Sequence, residues 1–342
     1  MDPRDEENDD LIVLQFSQFI DMYLIKCGPE QNGNLLNPVK YLKGVQLKHN
    51  LYTKLVDLEM LKKKQQFRTV NSTLKPTESL KEMSIYTIGP KVLAEQLTVL
   101  QFEYFKNMRT FEFIGFPWRK CANKCPGIVL NNKHFENIAR WVGTEIVVPK
   151  TVTERAQAMK FFIDLCINNI SEFKNFETVF AISAGLMSAA VFRLKLTRQE
   201  AGEEYEEKLE RLREIVSLRS NFRYLRGLLE SVKDETSIPY LGLFLSDLKG
   251  LHDTSNQFRK YLDKEKELQE AGVTCINWFI VQREYQIIHQ LMYWKQLCED
   301  KFYDEFEKDV VVQNKIDDMI KQAKSVEELY QLSLKREPRQ TN

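Results

Sequence analysis

Proline placement is the feature that most limits how this chain can fold. Pro149, Pro239 and Pro338 are separated by two long stretches, residues 150–238 and 240–337, that contain no proline. Proline inside a helix removes a backbone hydrogen bond and clashes with the preceding turn, at a cost of about 3 kcal/mol. Two such stretches in a Leu- and Lys-rich chain therefore predict long helices.

Hydrophobic periodicity supports the same prediction. In residues 203–232, "EEYEEKLERLREIVSLRSNFRYLRGLLESV", apolar side chains recur at helical spacing with charged residues between them, which predicts one amphipathic stripe. Alternating strand patterns flanked by Asn-Gly or Asp-Gly turns are absent, and no fixed repeat period is present. The predicted fold class is all-α, a large orthogonal helical bundle rather than a solenoid.

The N-terminal part of the chain has a different organisation. Residues 1–10 are acidic and polar, and we predict that they are disordered. Residues 11–25 and 51–63 have the apolar spacing of helices, and the polar segment 64–83 is predicted to be a linker. We therefore divide the chain into an N-terminal region, 1–85, and a main domain, 86–342.

Composition excludes several classes of function. Lys plus Arg and Asp plus Glu number 49 each, so the formal net charge is zero. The chain therefore lacks the excess of positive charge that would indicate nucleic-acid binding. The pair Cys121 and Cys125 is weak evidence for zinc, the four His lack metal-site spacing, and no metal is predicted. Neither a secretory signal nor a transmembrane stretch is recognisable, so we expect a cytoplasmic protein. Phosphate-binding and hydrolase motifs are also missing.

Five segments, in order, carry a resemblance to one family. They are "GPKVLAEQLTVLQFEYFKNM" (89–108), "FENIARWVGTEIV" (135–147), "NFETVFAISAGLMSAAVFRLKLT" (175–197), "SIPYLGLFLSDLKGLHD" (237–253) and "ELYQLSLKREPR" (328–339). Together they resemble the catalytic domain of the Ras-family guanine-nucleotide exchange factors.

The resemblance implies a fold, a partner and a mechanism. The fold is an all-α bundle with a protruding helical hairpin, and the partner is a small GTPase of Ras, Rap or Ral type. The hairpin would be inserted beside the nucleotide and release GDP, so the domain would regulate a GTPase without covalent chemistry and without a cofactor. Membrane contact is expected only indirectly, through a lipidated GTPase that brings the protein to the membrane surface.

Residues 239–253 are similar to the family's hairpin helix. Pro239 to Leu245 match its buried base. Ser246, Lys249 and Asp253 match positions that face the switch, the magnesium site and the phosphate site, and they are the candidate catalytic residues. His252 stands where the family usually has an acid, and it is a candidate GTPase contact.

The other candidate GTPase contacts are matched in the same way. Tyr240 stands at an interface aromatic of the family, although a role as an ordinary core aromatic is equally compatible with its position. The remaining candidates are Lys106, Leu186, Met187 and Phe222. Three of these depart from the family pattern: Lys106 replaces Arg, Met187 replaces Asn and Phe222 replaces Tyr. These departures support an alternative, a scaffold of the same fold that binds a GTPase or adaptor without catalysing exchange.

Two further expectations concern structure. Glu145 and Arg193 match family positions and are predicted to form a buried pair that joins core helices. The N-terminal region, residues 1–85, has two interpretations: a shortened form of the helical domain that precedes the catalytic domain in relatives, or a helical extension packed on the bundle.

Overall fold

The computed structural model describes residues 67–70, 84–114, 118, 121–258 and 278–339. The helices predicted at 11–25 and 51–63 lie outside the described residues, as does most of the predicted linker. Within the described ranges the chain is predominantly helical with almost no sheet, which confirms the predicted all-α class.

Most of the described helices follow one another with short connections, and the segment between α2 and α3 is a longer one. In chain order they are α1 Ile85–Ile88, α2 Pro90–Lys106, α3 Pro126–Val147, α4 Val152–Ser171, α5 Phe176–Leu186, α6 Ala189–Phe192, α7 Lys195–Ala201, α8 Glu203–Ile215, α9 Arg223–Ser231, α10 Leu241–Phe258, α11 Trp278–Glu305, α12 Val310–Lys321 and α13 Val326–Arg336. Two strands, β1 Arg68–Val70 and β2 Glu307–Asp309, pair in parallel. Strand β1 lies inside the segment predicted to be a linker and joins it to the residues that follow α11.

Local sequence explains where several helices begin. Pro90 and Pro126 occupy first-turn positions of α2 and α3, where a missing N–H removes no helical hydrogen bond. Helices α4 and α13 start with capping boxes, in which Thr151 pairs with Glu154 and Ser325 with Glu328.

Two hydrophobic cores hold the helices together. The first core lies mainly among α3, α4 and α5 and includes Trp141 and Phe162, whose rings meet edge to face at 5.2 Å. The second core lies among α2, α10 and α11 and includes Phe102 and Trp294. Partly buried side chains such as Phe135 contact both cores, so the two clusters form one continuous interior.

The predicted stripe over 203–232 is two helices rather than one. Residues Ser220, Asn221 and Phe222 have φ angles of 49°, 53° and 57°, in the left-handed region, and this run separates α8 from α9. The break has a physical reason. Leu209 of α8 is buried in the first core, whereas Leu225 of α9 is buried in the second, and the break lets one apolar stripe serve both.

The predicted pair of Glu145 and Arg193 is wrong. Arg193 instead donates hydrogen bonds to the backbone carbonyls of Ser333 and Glu337, and Glu145 accepts one from the indole N–H of Trp141 at 3.0 Å. Burial raises the pKa of Glu145, and the Trp141 hydrogen bond opposes that rise. Arg193 therefore ties α6 to the end of α13 through main-chain acceptors, not through a carboxylate.

A different buried ion pair joins α4 to the C-terminal segment. Arg155 Nη2 lies 3.2 Å from Glu337 Oε1, and the two side chains are 1% and 7% exposed. Thr197 supplies Glu337 with two further donors, its backbone N–H at 3.0 Å and its hydroxyl at 2.7 Å. Because a buried charge is costly unless it is paired and hydrogen-bonded, this cluster fixes the C-terminal segment against α4 and α7.

The described ranges contain neither a membrane-spanning helix nor a metal-binding cluster. None of the helices there combines the length and apolar composition that crossing a bilayer requires. Across those same residues, no three His, Cys, Asp or Glu side chains are arranged to hold a metal ion.

Candidate functional site

The segment that leads into α10 is fixed by the start of α5. The Phe176 N–H donates to the Ile238 carbonyl at 2.9 Å, and the Ile238 N–H donates to the Lys174 carbonyl at 3.1 Å. The Ser237 hydroxyl donates to the same Lys174 carbonyl at 3.1 Å. This short parallel bridge sets the position from which α10 begins.

A buried carboxylate caps the first turn of α10. Glu177, in α5, is 3% exposed. Its Oε2 accepts a hydrogen bond from the Leu241 N–H at 2.7 Å, and its Oε1 accepts one from Asn131 Nδ2 at 2.7 Å. Gln101 Nε2 in turn donates to Asn131 Oδ1 at 2.7 Å. A chain of hydrogen bonds thus connects α2, α3, α5 and the N-terminus of α10.

The ionisation of Glu177 is strongly affected by its surroundings. Burial raises the pKa of this carboxyl to about 7, although the Leu241 and Asn131 hydrogen bonds act in the opposite direction. Glu177 is not among the site residues predicted from the sequence. The available signal was an acid between Phe176 and apolar helix residues, a position where an exposed charge is not expected.

An aromatic cluster packs around the same end of α10. The ring of Tyr240 stacks on Phe180 with centroids 3.8 Å apart and planes at 12°, and Phe222 and Phe135 lie 6.0 and 6.1 Å from it. Burial makes the larger contribution and the neighbouring Glu177 charge the smaller one, and together they raise the pKa of Tyr240 to about 12. Its hydroxyl is therefore neutral at physiological pH.

The absence of a side chain at Gly242 allows the Tyr240 ring to pack against the first turn of α10. A Cβ at this position would lie 2.3 Å from the ring atoms of Tyr240. Gly242 therefore permits close packing against the ring two residues earlier in the chain.

Helix α10 has a buried face and an exposed face. Leu243, Phe244 and Leu248 are at most 3% exposed and belong to the second core. Ser246, Lys249 and Asp253 are exposed. Their spacing of three and four residues places them along one side of the helix, because a helix turns once every 3.6 residues.

Helix α11 supports the buried face of α10. The rings of Phe244 and Trp294 meet edge to face at 6.1 Å, and the thiol of Cys298 donates to the Ser237 carbonyl at 3.4 Å. Ser237, which precedes α10, contacts the later residue Cys298, whereas Phe244 within α10 contacts the earlier residue Trp294. The two helices therefore run antiparallel as a hairpin. Its connection, residues 259–277, lies outside the described residues.

One ion pair joins α10 to α9, beside the left-handed run that precedes α9. Arg226 Nη2 lies 2.6 Å from Asp247 Oδ1, and Arg226 Nε donates to the Asn221 carbonyl at 2.8 Å. Asn221 Nδ2 approaches the same carboxylate at 3.4 Å. Asp247 therefore makes a contact within the protein.

Comparison with known proteins adds the family. A sequence model of the RasGEF domain matches residues 92–279, more than half of the chain. The chain belongs to the RasGEF family. The match covers α10 and its supporting helices up to the start of α11, so the buried base and exposed face described above lie within the RasGEF domain.

Individual relatives agree with this assignment. The chain is 30% identical over 178 residues to "Ras guanine nucleotide exchange factor A" of Dictyostelium discoideum, covering 52% of this chain and 29% of that protein. It is 30% identical over 174 residues to "Protein son of sevenless" of Drosophila melanogaster, covering 50% and 11%. For "Ras-specific guanine nucleotide-releasing factor 1" of Mus musculus the identity is 29% over 195 residues, covering 53% and 15%. The chain therefore spans less than a third of each of these relatives.

The RasGEF domain brings only some of the predicted site residues to the surface. Ser246, Lys249, His252 and Asp253 are exposed on α10. Tyr240 is half-buried and belongs to the aromatic cluster around the base.

Four predicted contacts lie away from α10. Lys106 is half-buried and donates to Glu103 at 2.8 Å and to the Tyr303 hydroxyl at 3.3 Å. Met187, at the end of α5, is also half-buried.

The structure does not place Leu186 or Phe222 on the surface. Leu186 is 3% exposed and packs in the first core, and Phe222 is 6% exposed and packs in the second. Their GTPase contacts stay predictions, and direct contact through either side chain requires it to leave the core.

Proposed function

We propose that this protein is a guanine-nucleotide exchange factor for a Ras-family GTPase. The observation that carries the proposal is the RasGEF match across α10, a helix with a buried base and a continuous exposed face bearing Ser246, Lys249 and Asp253. An exchange factor of this kind acts by binding: it binds the nucleotide-free GTPase more tightly than the GDP-bound form, and by linkage it weakens GDP binding.

We propose that the hairpin of α10 and α11 is the inserted element. The second core anchors α10 through Leu243 and Leu248, so the helix is rigidly supported along its buried face. The carboxylate of Asp253 would repel the phosphates of the nucleotide, and the ammonium group of Lys249 would take the place of the magnesium charge. No covalent step and no cofactor enters this proposal, since one ligand is exchanged for another.

The partner and the cellular location belong to the same proposal. The partner is a small GTPase of Ras, Rap or Ral type, and the protein is cytoplasmic until a lipidated GTPase recruits it to a membrane surface. Cell fractionation with and without the membrane-anchored GTPase checks the location. An integral-membrane distribution that does not depend on the GTPase contradicts it.

The direct test is release of a fluorescent GDP analogue from a panel of Ras, Rap and Ral proteins at micromolar exchange factor. We expect faster release from at least one of them. Binding to a nucleotide-free GTPase without faster release contradicts the exchange proposal and supports a scaffold, and no effect from a folded protein contradicts both.

Variants of the exposed face locate the activity. Lys249→Ala and Asp253→Ala are each expected to slow release several-fold while unfolding at the wild-type denaturant concentration, because both side chains are exposed. The matched controls are Lys195→Ala and Glu207→Ala, exposed residues on α7 and α8. Equal loss in test and control variants contradicts the assignment of α10.

A further inference from the structure

The first turn of α10 is capped by a residue distant in sequence. A helix begins with four N–H groups that have no partner in the helix, and a short polar residue just before the first turn usually accepts one of them. Here the preceding residue is Tyr240, whose polar group is at the far end of an aromatic ring. The acceptor of the Leu241 N–H is instead Glu177, 64 residues earlier.

The Glu177 carboxylate is held on both sides. Its second oxygen accepts from Asn131, which is itself held by Gln101. The position of the Glu177 carboxylate is therefore not determined by α10 alone. Its position is set by α2, α3 and α5, the helices that join the two cores.

A small change in the direction of α10 at its first turn produces a larger displacement at the far end of its exposed face. Leu241 and Asp253 are twelve positions apart, which is about 18 Å along a helix that rises 1.5 Å per residue. A tilt of about 5° at Leu241 therefore moves Asp253 by about 1.5 Å. Displacements of about 1 Å in a site that depends on positioning reduce rates by up to about a hundredfold.

We propose that Glu177 is a positioning residue for nucleotide exchange. Its carboxylate, held by Asn131, fixes the first turn of α10 and thereby the direction of the face that bears Ser246, Lys249 and Asp253. This inference rests on the proposed function.

The alternative is that Glu177 only stabilises the fold. A buried carboxylate is a poor choice for that purpose, because an apolar residue of similar size often stabilises a core more. Burial also raises the pKa of Glu177 to about 7, which is the direction expected for a charge that costs free energy to bury. The geometry it provides, a fixed acceptor for the Leu241 N–H, accounts for its presence in the core.

Three substitutions at position 177 separate the effect of side-chain length from the effect of charge. Glu177→Gln keeps the length and removes the charge. After rotation of the Asn131 and Gln101 amides, the glutamine oxygen accepts from Leu241 and its NH₂ group donates to Asn131, so the chain of hydrogen bonds is kept. Glu177→Asp keeps the charge but is one methylene shorter and does not reach the Leu241 N–H. Glu177→Ala removes both.

The first measurement does not depend on exchange activity. We expect hydrogen–deuterium exchange of amides 241–245 to accelerate at least tenfold in Glu177→Asp and Glu177→Ala and to stay near wild type in Glu177→Gln. The control is Glu337→Gln, which weakens the buried pair with Arg155 away from α10 and should leave these amides protected. Unchanged protection in Glu177→Asp overturns the inference, and this readout remains valid where Glu177→Ala does not fold.

The second measurement is GDP release at saturating exchange factor. We expect Glu177→Asp to slow it at least about tenfold, and Glu177→Gln and Glu337→Gln to stay within about twofold of wild type. Loss of release in Glu177→Gln equal to that in Glu177→Asp overturns the positioning role. If the wild type releases no GDP from any GTPase, the proposed function fails, while the protection pattern of residues 241–245 still decides whether Glu177 fixes α10.

Discussion

Gly242 and Gly250 provide a matched pair of substitutions on one helix. Both lie in α10, but a Cβ at Gly242 would meet the Tyr240 ring at 2.3 Å, whereas a Cβ at Gly250 would meet nothing within 4 Å. Apolar heavy atoms normally stay about 3.5–4.0 Å apart, so Gly242→Ala forces the ring to move by more than about 1 Å.

The Tyr240 ring has little room to move. Phe180 stacks on it with centroids 3.8 Å apart, and Phe222 and Phe135 lie close by. Overpacking of this kind costs about 1–3 kcal/mol. Replacing Gly by Ala within a helix contributes a stabilisation of about 0.5–1 kcal/mol in either variant.

Gly250→Ala is therefore expected to stabilise the protein by about 0.5–1 kcal/mol and Gly242→Ala to leave it about 1–3 kcal/mol less stable than Gly250→Ala. Urea unfolding followed by circular dichroism measures both midpoints. Tyr240→Ala in the Gly242→Ala background should remove the difference caused by the clash, as a double-mutant cycle would show. Equal midpoints for the two glycine variants would refute the close packing of Tyr240 over Gly242.

Three further predictions concern stability. As pH rises from 4.5 to 8, the free energy of unfolding of the wild type should fall by about 3 kcal/mol relative to that of Glu177→Gln in urea titrations, because a folded-state pKa raised from 4.5 to about 7 stabilises the folded state only while Glu177 is protonated. The titratable neighbour Tyr240 stays neutral over this range. A difference in stability that does not change with pH would contradict the burial of the Glu177 charge. Leu243→Ala should cost about 2–5 kcal/mol and Leu245→Ala clearly less, since only Leu243 is fully buried; equal thermal shifts would argue against this. Glu337→Ala should cost about 3–5 kcal/mol by leaving Arg155 buried and unpaired, and an unchanged midpoint would count against that pair.

The fold class and the family were predictable because each depends on information carried locally. Proline-free stretches and apolar periodicity report helices, and five ordered segments report the family; the structure and the RasGEF match confirm both. The break between α8 and α9 was not predictable from the stripe. Its apolar spacing continues across Phe222, and only the presence of two cores explains why the helix ends there.

The candidate site was predicted in part. The sequence indicated that Pro239 to Leu245 form a buried base and that Lys249 and Asp253 are exposed, and the structure agrees with that exposure. The boundary, however, runs along α10 rather than across it, because Leu248 is buried beyond the exposed Ser246.

The ionic partners could not be predicted, since they depend on residues far apart in the chain. Glu145 and Arg193 both matched family positions, but each bonds elsewhere. The buried pair is Arg155 with Glu337, separated by 182 positions. A sequence motif identifies which charges are present and leaves open which of them meet.

The sequence by itself determined that this chain forms helices, which family it belongs to and that Lys249 and Asp253 of α10 are exposed, because helical period and family motifs are properties of neighbouring residues. Only the tertiary structure decided how α10 is held. Glu177, Asn131 and Gln101 come from three different helices, and their hydrogen bonds to Leu241 exist only when those helices are packed together.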